Sequence, residues 1–281
     1  KSLTLAADQY GQFSAAADLG GFMGSEQQLG YRVNLVSEQI NSYVDHVGGK
    51  RYLGSAALDW QMTDRSKLQF DLESQRQQQR SVPGYQLLDG KVPQNVQQDR
   101  LLAYQSWGKP VTIDSLNTSL KYSYALNEQW TANLSGSHSK AKVDDYSTFA
   151  WGCYSSVCQL DGSLKNRFDK NGNYDIYDYQ NPDDTYVTRQ LKAQLQGQWS
   201  LANTLHHVNL ELAQTDKSRK RSDRVNEYIG YGNIYEDTVD LNPTSEQVGA
   251  RTKALDSSQL ALTVSDRIEL GSQWSALLGA K

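Results

Sequence analysis

The sequence predicts an all-β chain whose antiparallel strands form part of a transmembrane β-barrel. Three observations carry that expectation. Apolar and polar residues alternate with period two, as in Leu116, Thr118, Leu120, Tyr122, Tyr124 and Leu126 against Asn117, Ser119, Lys121, Ser123 and Ala125. Such alternation marks strands with only one face against something apolar. The alternating runs are longer than the usual strand of about five or six residues and match the roughly nine to eleven needed to cross a bilayer at a tilt. Tight turns also alternate with long polar connections, the pattern of barrels with short turns on one rim and long loops on the other.

About eleven strands are expected, at 2–8, 12–20, 29–40, 51–62, 66–76, 115–125, 129–143, 185–199, 204–216, 256–268 and 273–281. The run at 187–199 shows the basis well. Val187, Leu191, Ala193, Leu195, Gly197 and Trp199 share one face, broken only by Arg189, while Thr188, Gln190, Lys192, Gln194, Gln196 and Gln198 share the other. Turns are expected at Thr63-Asp64-Arg65, Leu126-Asn127-Glu128, Leu201-Ala202-Asn203 and Gly271-Ser272, and long loops near 77–114, 144–184 and 217–255. Structureless segments of that length are uncommon in compact soluble domains.

Trp60, Trp130, Trp199 and Trp274 each stand beside a tight turn. If those turns share a rim, the rings form an aromatic belt at one membrane interface; the alternative is that Trp is simply common in strands. Gln69, Asp71, Glu73, Gln75, Gln190, Lys192, Gln194 and Gln196 fall on the opposite, inward face. In a dry core each would need a partner or cost several kcal/mol, so a hydrated interior is expected. Single-chain bacterial barrels have an even strand number. Eleven is half of the twenty-two in plugged outer-membrane transporters, so residues 1–281 are expected to be part of a larger barrel.

Composition excludes several classes. The mean hydropathy is −0.68 and the formal net charge −4, yet the chain holds 17 Tyr and 6 Trp. Disordered chains are aromatic-poor. No run approaches the 18 or so apolar residues of a membrane helix. The acidic pI of about 5.6 argues against a nucleic-acid partner. No nucleophile elbow or paired base is evident, so no enzyme is expected. Cys153 and Cys158 are too few for a structural zinc site and too far apart for a CxxC motif. They read as a small loop disulfide, with a reactive thiol pair as the alternative.

Two further runs have competing readings. Asp169, Asn171, Asn173 and Asp175 alternate as in a calcium loop, but Tyr174 and Gln180 stand where an EF-hand needs Gly and Glu; a polar turn is the other reading. Lys217, Arg219, Lys220, Arg221 and Arg224 form a basic run at a loop root, able to attract anionic lipopolysaccharide or an anionic chelate, or simply solvated. Adjacent His206 and His207 point to opposite strand faces, so they cannot share a metal.

Ordered motifs give a resemblance. Tyr31-Arg32-Val33-Asn34-Leu35 is followed by Arg51-Tyr52-Leu53 and by Leu58-Asp59-Trp60-Gln61-Met62-Thr63-Asp64-Arg65-Ser66. Pro83-Gly84-Tyr85 precedes Gly90, and Ser265-Asp266-Arg267-Ile268-Glu269-Leu270 precedes Trp274 and Leu277-Leu278-Gly279. The set resembles the TonB-dependent ferric siderophore receptors of the bacterial outer membrane. Phe149-Ala150-Trp151-Gly152-Cys153 resembles the fourth loop of their ferrichrome-type, hydroxamate branch. The energy-coupling box, the plug and the C-terminal aromatic strand of that family are missing from these residues, which read as the first half of the barrel.

The resemblance implies a multi-pass outer-membrane receptor that binds a ferric siderophore through loop aromatics and imports it with the TonB complex, needing no cofactor. Tyr85, Phe149 and Trp151, with Tyr146, Tyr154 and Tyr231, are the candidate ligand contacts; exposed aromatics bury area at low entropic cost. The alternative for each ring is packing of loop on loop. A passive porin or channel is the alternative function.

Overall fold

The computed structural model describes residues 1–88, 90–156 and 167–281. Its architecture is one antiparallel sheet of twelve strands. Eleven follow one another in a meander, each bonded to the next: β1 (Ser2–Ala7), β2 (Phe13–Met23), β3 (Leu29–Asn41), β4 (Gly48–Thr63), β5 (Ser66–Gln79), β6 (Val111–Ala125), β7 (Trp130–Ala150), β8 (Asn173–Leu201), β9 (Thr204–Ser222), β11 (Arg251–Leu270) and β12 (Trp274–Ala280). The twelfth, β10 (Val225–Asn233), leaves this path and pairs with the upper end of β8. The eleven expected strands are thus the wall. The loop expected at 217–255 is corrected: β9 runs through Lys217, Arg219 and Arg221 to Ser222, and β10 follows.

Register sorts the side chains into two faces. Leu35, Gly54, Ser74 and Leu116 lie in one cross-strand row, and Leu58, Phe70, Leu120, Gly136, Leu191 and Gln214 in another. The face they share is apolar from β1 to β12. It includes Leu3, Leu5, Leu134, Leu191, Leu212, Leu260 and Leu262, all exposed. A soluble protein could not present so large an apolar surface to water; a barrel presents it to lipid.

The other face is polar and internally bonded. Ser119 donates to Asp71 at 3.1 Å, Ser139 to Asn117 at 2.7 Å, and Gln194 to Asn209 at 2.7 Å. Lys192 pairs with Glu211 at 3.5 Å. Gln69, Asp71, Gln190 and Lys192 line one 290 Å³ depression with Ser119, Lys121 and Ser137. The inward assignment of these residues holds.

All four belt tryptophans lie on the apolar face beside short turns of one rim. Trp60 shares a row with Leu134, four residues from Trp130; Trp130 opposes Gly197, two from Trp199; Trp199 shares a row with Ile268, two from Leu270, which opposes Trp274. The belt therefore slips eight residues along the strands over the seven steps from β4 to β12. With about 3.3 Å per residue and 4.8 Å per strand, rings at one level mean strands tilted by about 38°, inside the range for barrel closure.

At the far end of the apolar face stand Arg76, Lys140 and Arg189, each opposite outward positions of its neighbours. Arg189, which interrupts the apolar alternation of β8, is explained by this position at the band's edge.

Candidate functional site

Above the band, β7 and β8 outrun their neighbours, and β10 joins β8 where β9 has ended. The strands form a three-stranded platform. Their two faces differ in their rings. Tyr174, Ile176 and Asp178 on β8 are buried on one face; on the other Asp175 is buried too, while Tyr177 and Tyr179 are half-exposed.

The buried face packs a loop core. Leu102, Ala103, Ala150, Phe168, Tyr174, Ile176 and Ile234 form it, with Tyr85 and Leu241 against its edge. The Ala103 amide donates to the Tyr174 hydroxyl at 3.2 Å, and burial pushes that hydroxyl's pKa up. Segment 234–241 reaches back across this core to loop 80–110. Arg100 donates to the Ile234 carbonyl at 2.8 Å and pairs with Asp237 at 3.0 Å. The fully buried Gln105 accepts from the Leu241 amide at 2.7 Å and donates to the Val239 carbonyl at 3.3 Å. Trp107 donates to the Leu241 carbonyl at 2.8 Å.

The other face carries a row of rings. Phe149 and Tyr228 both oppose Tyr177 across the ladder. Phe149 meets Tyr179 edge-on at 5.6 Å, Tyr228 meets Tyr177 edge-on at 6.0 Å, and Trp151 lies 6.4 Å from Tyr177. Phe149 has the same parity along β7 as Ser135, Ser137 and Ser139 on the polar side of the wall, with the register to β8 shifting between Val143 and Asp145. Asp175 holds the segment after Trp151 over the row: its carboxylate accepts from the Tyr154 amide at 2.7 Å, the Ser155 amide at 3.0 Å and the Ser155 hydroxyl at 2.7 Å. Trp151, Tyr154, Tyr228 and Tyr231 remain exposed.

The structure brings Phe149, Trp151 and Tyr154 together; Tyr231, opposite Asp175, borders them. Tyr85 and Tyr146 lie apart. Tyr85 is half-buried against the loop core and donates to the Gln97 carbonyl at 2.6 Å. Tyr146 lies under the Lys109 ammonium at 4.8 Å. Tyr177 and Tyr179 were missed because 144–184 read as loop; the alternation Tyr174, Ile176, Asp178 against Asp175, Tyr177, Tyr179 was the available signal.

Asp169 closes a turn, accepting from the Asn171 and Asn173 amides at 2.9 Å each, so the polar-turn reading of 169–175 describes it. Gly172 in that turn has φ +88°, and a Cβ there would come within 2.8 Å of Ile234. Cys153 is fully buried and is not a free thiol; Cys158 lies outside the described residues. His206 and His207 do take opposite faces, bonding Asp266 at 2.6 Å and Glu269 at 2.9 Å.

No protein-family model matches the chain. The metal-pseudopaline receptor CntO of Pseudomonas aeruginosa is 26% identical over 152 residues, 52% of this chain but only 20% of that protein. The ferric preacinetobactin receptor BauA from Acinetobacter baumannii superposes with a TM-score of 0.76 at 16% identity, covering 95% of this chain and 38% of that one. The ferric-catecholate import receptor Fiu from E. coli K12 gives 0.75 at 13% identity, covering 99% and 40%. The chain thus spans a minor share of each relative's length. Residues 1–281 have the fold of a contiguous portion of the barrel wall of such receptors.

Proposed function

We propose that this chain is a wall segment of a TonB-dependent outer-membrane receptor that captures a ferric siderophore at its long-loop rim. The observation that supports it most is the aromatic row on β7, β8 and β10, raised above a wall with one lipid-facing and one polar face. The fold, and the receptor functions of CntO, BauA and Fiu, agree with it. In this reading the 281 residues are one part of a longer barrel domain, a plug fills the lumen, and the TonB complex drives release; the role is transport, not catalysis, and no cofactor is required.

Phe149, Trp151, Tyr154 and Tyr231 would contact the ligand, joined by Tyr177, Tyr179 and Tyr228. Tyr85 and Tyr146 would act from beneath, by fixing loop 80–110. A Cys153–Cys158 disulfide would brace the segment above the row. Lipopolysaccharide would meet Arg76, Lys140 and Arg189, which face outward at the band's edge, rather than the Lys217–Arg221 run. There Lys217 opposes Thr188, on the polar side of the wall.

The test uses the complete receptor in detergent, titrated with a panel of ferric siderophores. Trp151→Ala should weaken binding about ten- to a hundredfold, as for an aromatic anchor in a desolvated pocket, with an unchanged far-ultraviolet β signature. Affinity for every siderophore equal to wild type would rule out the aromatic row as the site.

A further inference from the structure

We infer that the outward face of β1 to β5 holds a groove for an acyl chain of a bisphosphorylated glycolipid of the outer leaflet, whose phosphates lie on Arg76 and Lys140. The inference rests on the outer-membrane barrel reading and adds a second ligand to it, held on the wall rather than among the loops.

The first ground is a hollow in the lipid-facing surface. Leu3, Ala17, Leu35, Gly54, Ser74 and Leu116 form one cross-strand row from β1 to β6. Ala17 stands between two leucines, and Gly54 and Ser74 stand together between two more. With Ala15 next along β2, these small residues leave a hollow of 560 Å³ walled by Leu3, Leu35 and Tyr52, all three exposed. That volume falls within the range of about 300–1,000 Å³ for small-molecule sites. A Cβ on Gly54 would touch only Leu35, at 3.6 Å, so open space lies over that glycine. In a bilayer the hollow is reached by lipid tails, and left empty it forfeits dispersion contacts.

The second ground is the polar edge of the hollow. Ser37, Tyr52 and Arg76 oppose one another in the next row up. Tyr52 lies eight residues along β4 from the belt residue Trp60, about 21 Å higher at 3.3 Å per residue and the strand tilt given above. That is close to the top of an apolar band about 25 Å tall, on the long-loop rim. A tail seated in the hollow therefore carries its head group beside the Tyr52 ring and the Arg76 guanidinium. Arg76 meets Asp114 at 3.6 Å, and both side chains are more than a third exposed. Such a surface pair is weak, and the rest of the guanidinium stays available for a phosphate.

The third ground is the spacing of the outward cations. Lys140 and Arg189 each lie ten residues from a belt tryptophan, on β7 and β8, which places both about 26 Å above the belt. Arg189 faces Asp216 across the ladder, but Lys140 is exposed between Leu116 and Val187. Strands at this tilt stand about 6 Å apart in the membrane plane, so the Lys140 backbone is about 12 Å around the wall from that of Arg76. Two phosphates on one sugar head group suit that spacing better than the single phosphate of a glycerophospholipid.

The experiment uses the complete receptor, delipidated in detergent, and reads bound lipid by native mass spectrometry. The probes are bisphosphorylated lipid A, its monophosphorylated form and phosphatidylglycerol. Affinity should fall in that order, about tenfold at the first step for one charge-assisted contact. Gly54→Leu fills the hollow with an apolar side chain and should weaken lipid A binding about tenfold. Ala15→Leu fills it from β2 and should act alike, which separates filling from a folding defect at one position. Arg76→Gln should erase the difference between the two lipid A forms. Lipid A bound equally by wild type and both filled variants, or no more tightly than phosphatidylglycerol, overturns the groove. Ferric siderophore affinity, titrated on the same proteins, should not change; lipid A binding as described with no ferric siderophore bound keeps the groove and overturns the receptor reading.

Discussion

Gly197 is a glycine because Trp130 occupies the space its side chain would fill. A Cβ there would lie 2.2 Å from the indole ring. The ring covers the bare backbone opposite it, a device that fixes register in sheets. Gly197→Val should displace Trp130, destabilise the wall by about 1–3 kcal/mol, and shift the tryptophan emission of the folded receptor; unaltered emission and melting would contradict this packing. The sequence showed Trp130 as a belt residue but gave no sign of its seat, since the two positions meet only through β7–β8 register. Gln105 was invisible for the same reason. It lies in a polar loop, yet is fully buried and bonded to a segment more than 130 residues away. Gln105→Ala leaves the Leu241 amide without its acceptor, a loss of about 1–3 kcal/mol. Hydrogen exchange should quicken at 234–241 while the wall stays protected; unchanged exchange there would refute the clamp.

At the scale of elements, strand ends were legible on one rim and not on the other. Turn-side ends such as those of β5, β6, β7 and β9 fall within a residue or so of expectation, because apolar alternation persists to the turn. Loop-side ends were placed short: β7 continues to Ala150 and β8 begins at Asn173. Once a strand leaves lipid, both faces meet water or loops, and alternation loses its contrast. Pro182 lies within β8 although it has no amide to give the ladder. It sits at a bulge, where β8 spends one more residue than β7 and Asp183 adopts φ 59°; the missing amide is tolerated there. The bulge is tied to β9 by Arg219, which holds the Asp184 carboxyl below its ordinary pKa. A depressed carboxylate pKa contributes stability above the unfolded value, and that contribution disappears as pH falls through the folded value. Acidification below about pH 4 should therefore loosen 181–186 and 217–221 ahead of the wall. Exchange measured across pH checks this, and Asp184→Asn should remove the pH dependence. A wild-type segment equally protected at low pH would speak against the tie.

For the molecule as a whole, the expectation of a wall with lipid on one side and water on the other required only period two and turn spacing. Tilt was not readable, because it depends on which residues oppose one another. The slip of the tryptophan belt supplies it. Polarised infrared dichroism of the complete receptor in oriented bilayers should return a mean strand tilt near 38°; a value near 20° would mean that the four rings do not share a level. The same slip locks the wall. Shifting any strand by one residue would exchange its lipid and water faces, so the register of the wall is strongly fixed.

The unequal length of the strands has its own consequence for reach. Tyr177 lies 24 residues along β8 from Leu201, the difference of their numbers. At about 3.3 Å per residue and the tilt above, that is roughly 60 Å of height, of which the apolar band takes about 25 Å. The aromatic row then stands some 35 Å clear of the hydrocarbon, on a pedestal. A face at that height is open to macromolecules as well as to chelates. An antibody fragment raised against the Tyr177–Tyr228 face should therefore stain intact cells, its epitope lying well beyond the reach of the lipid headgroups.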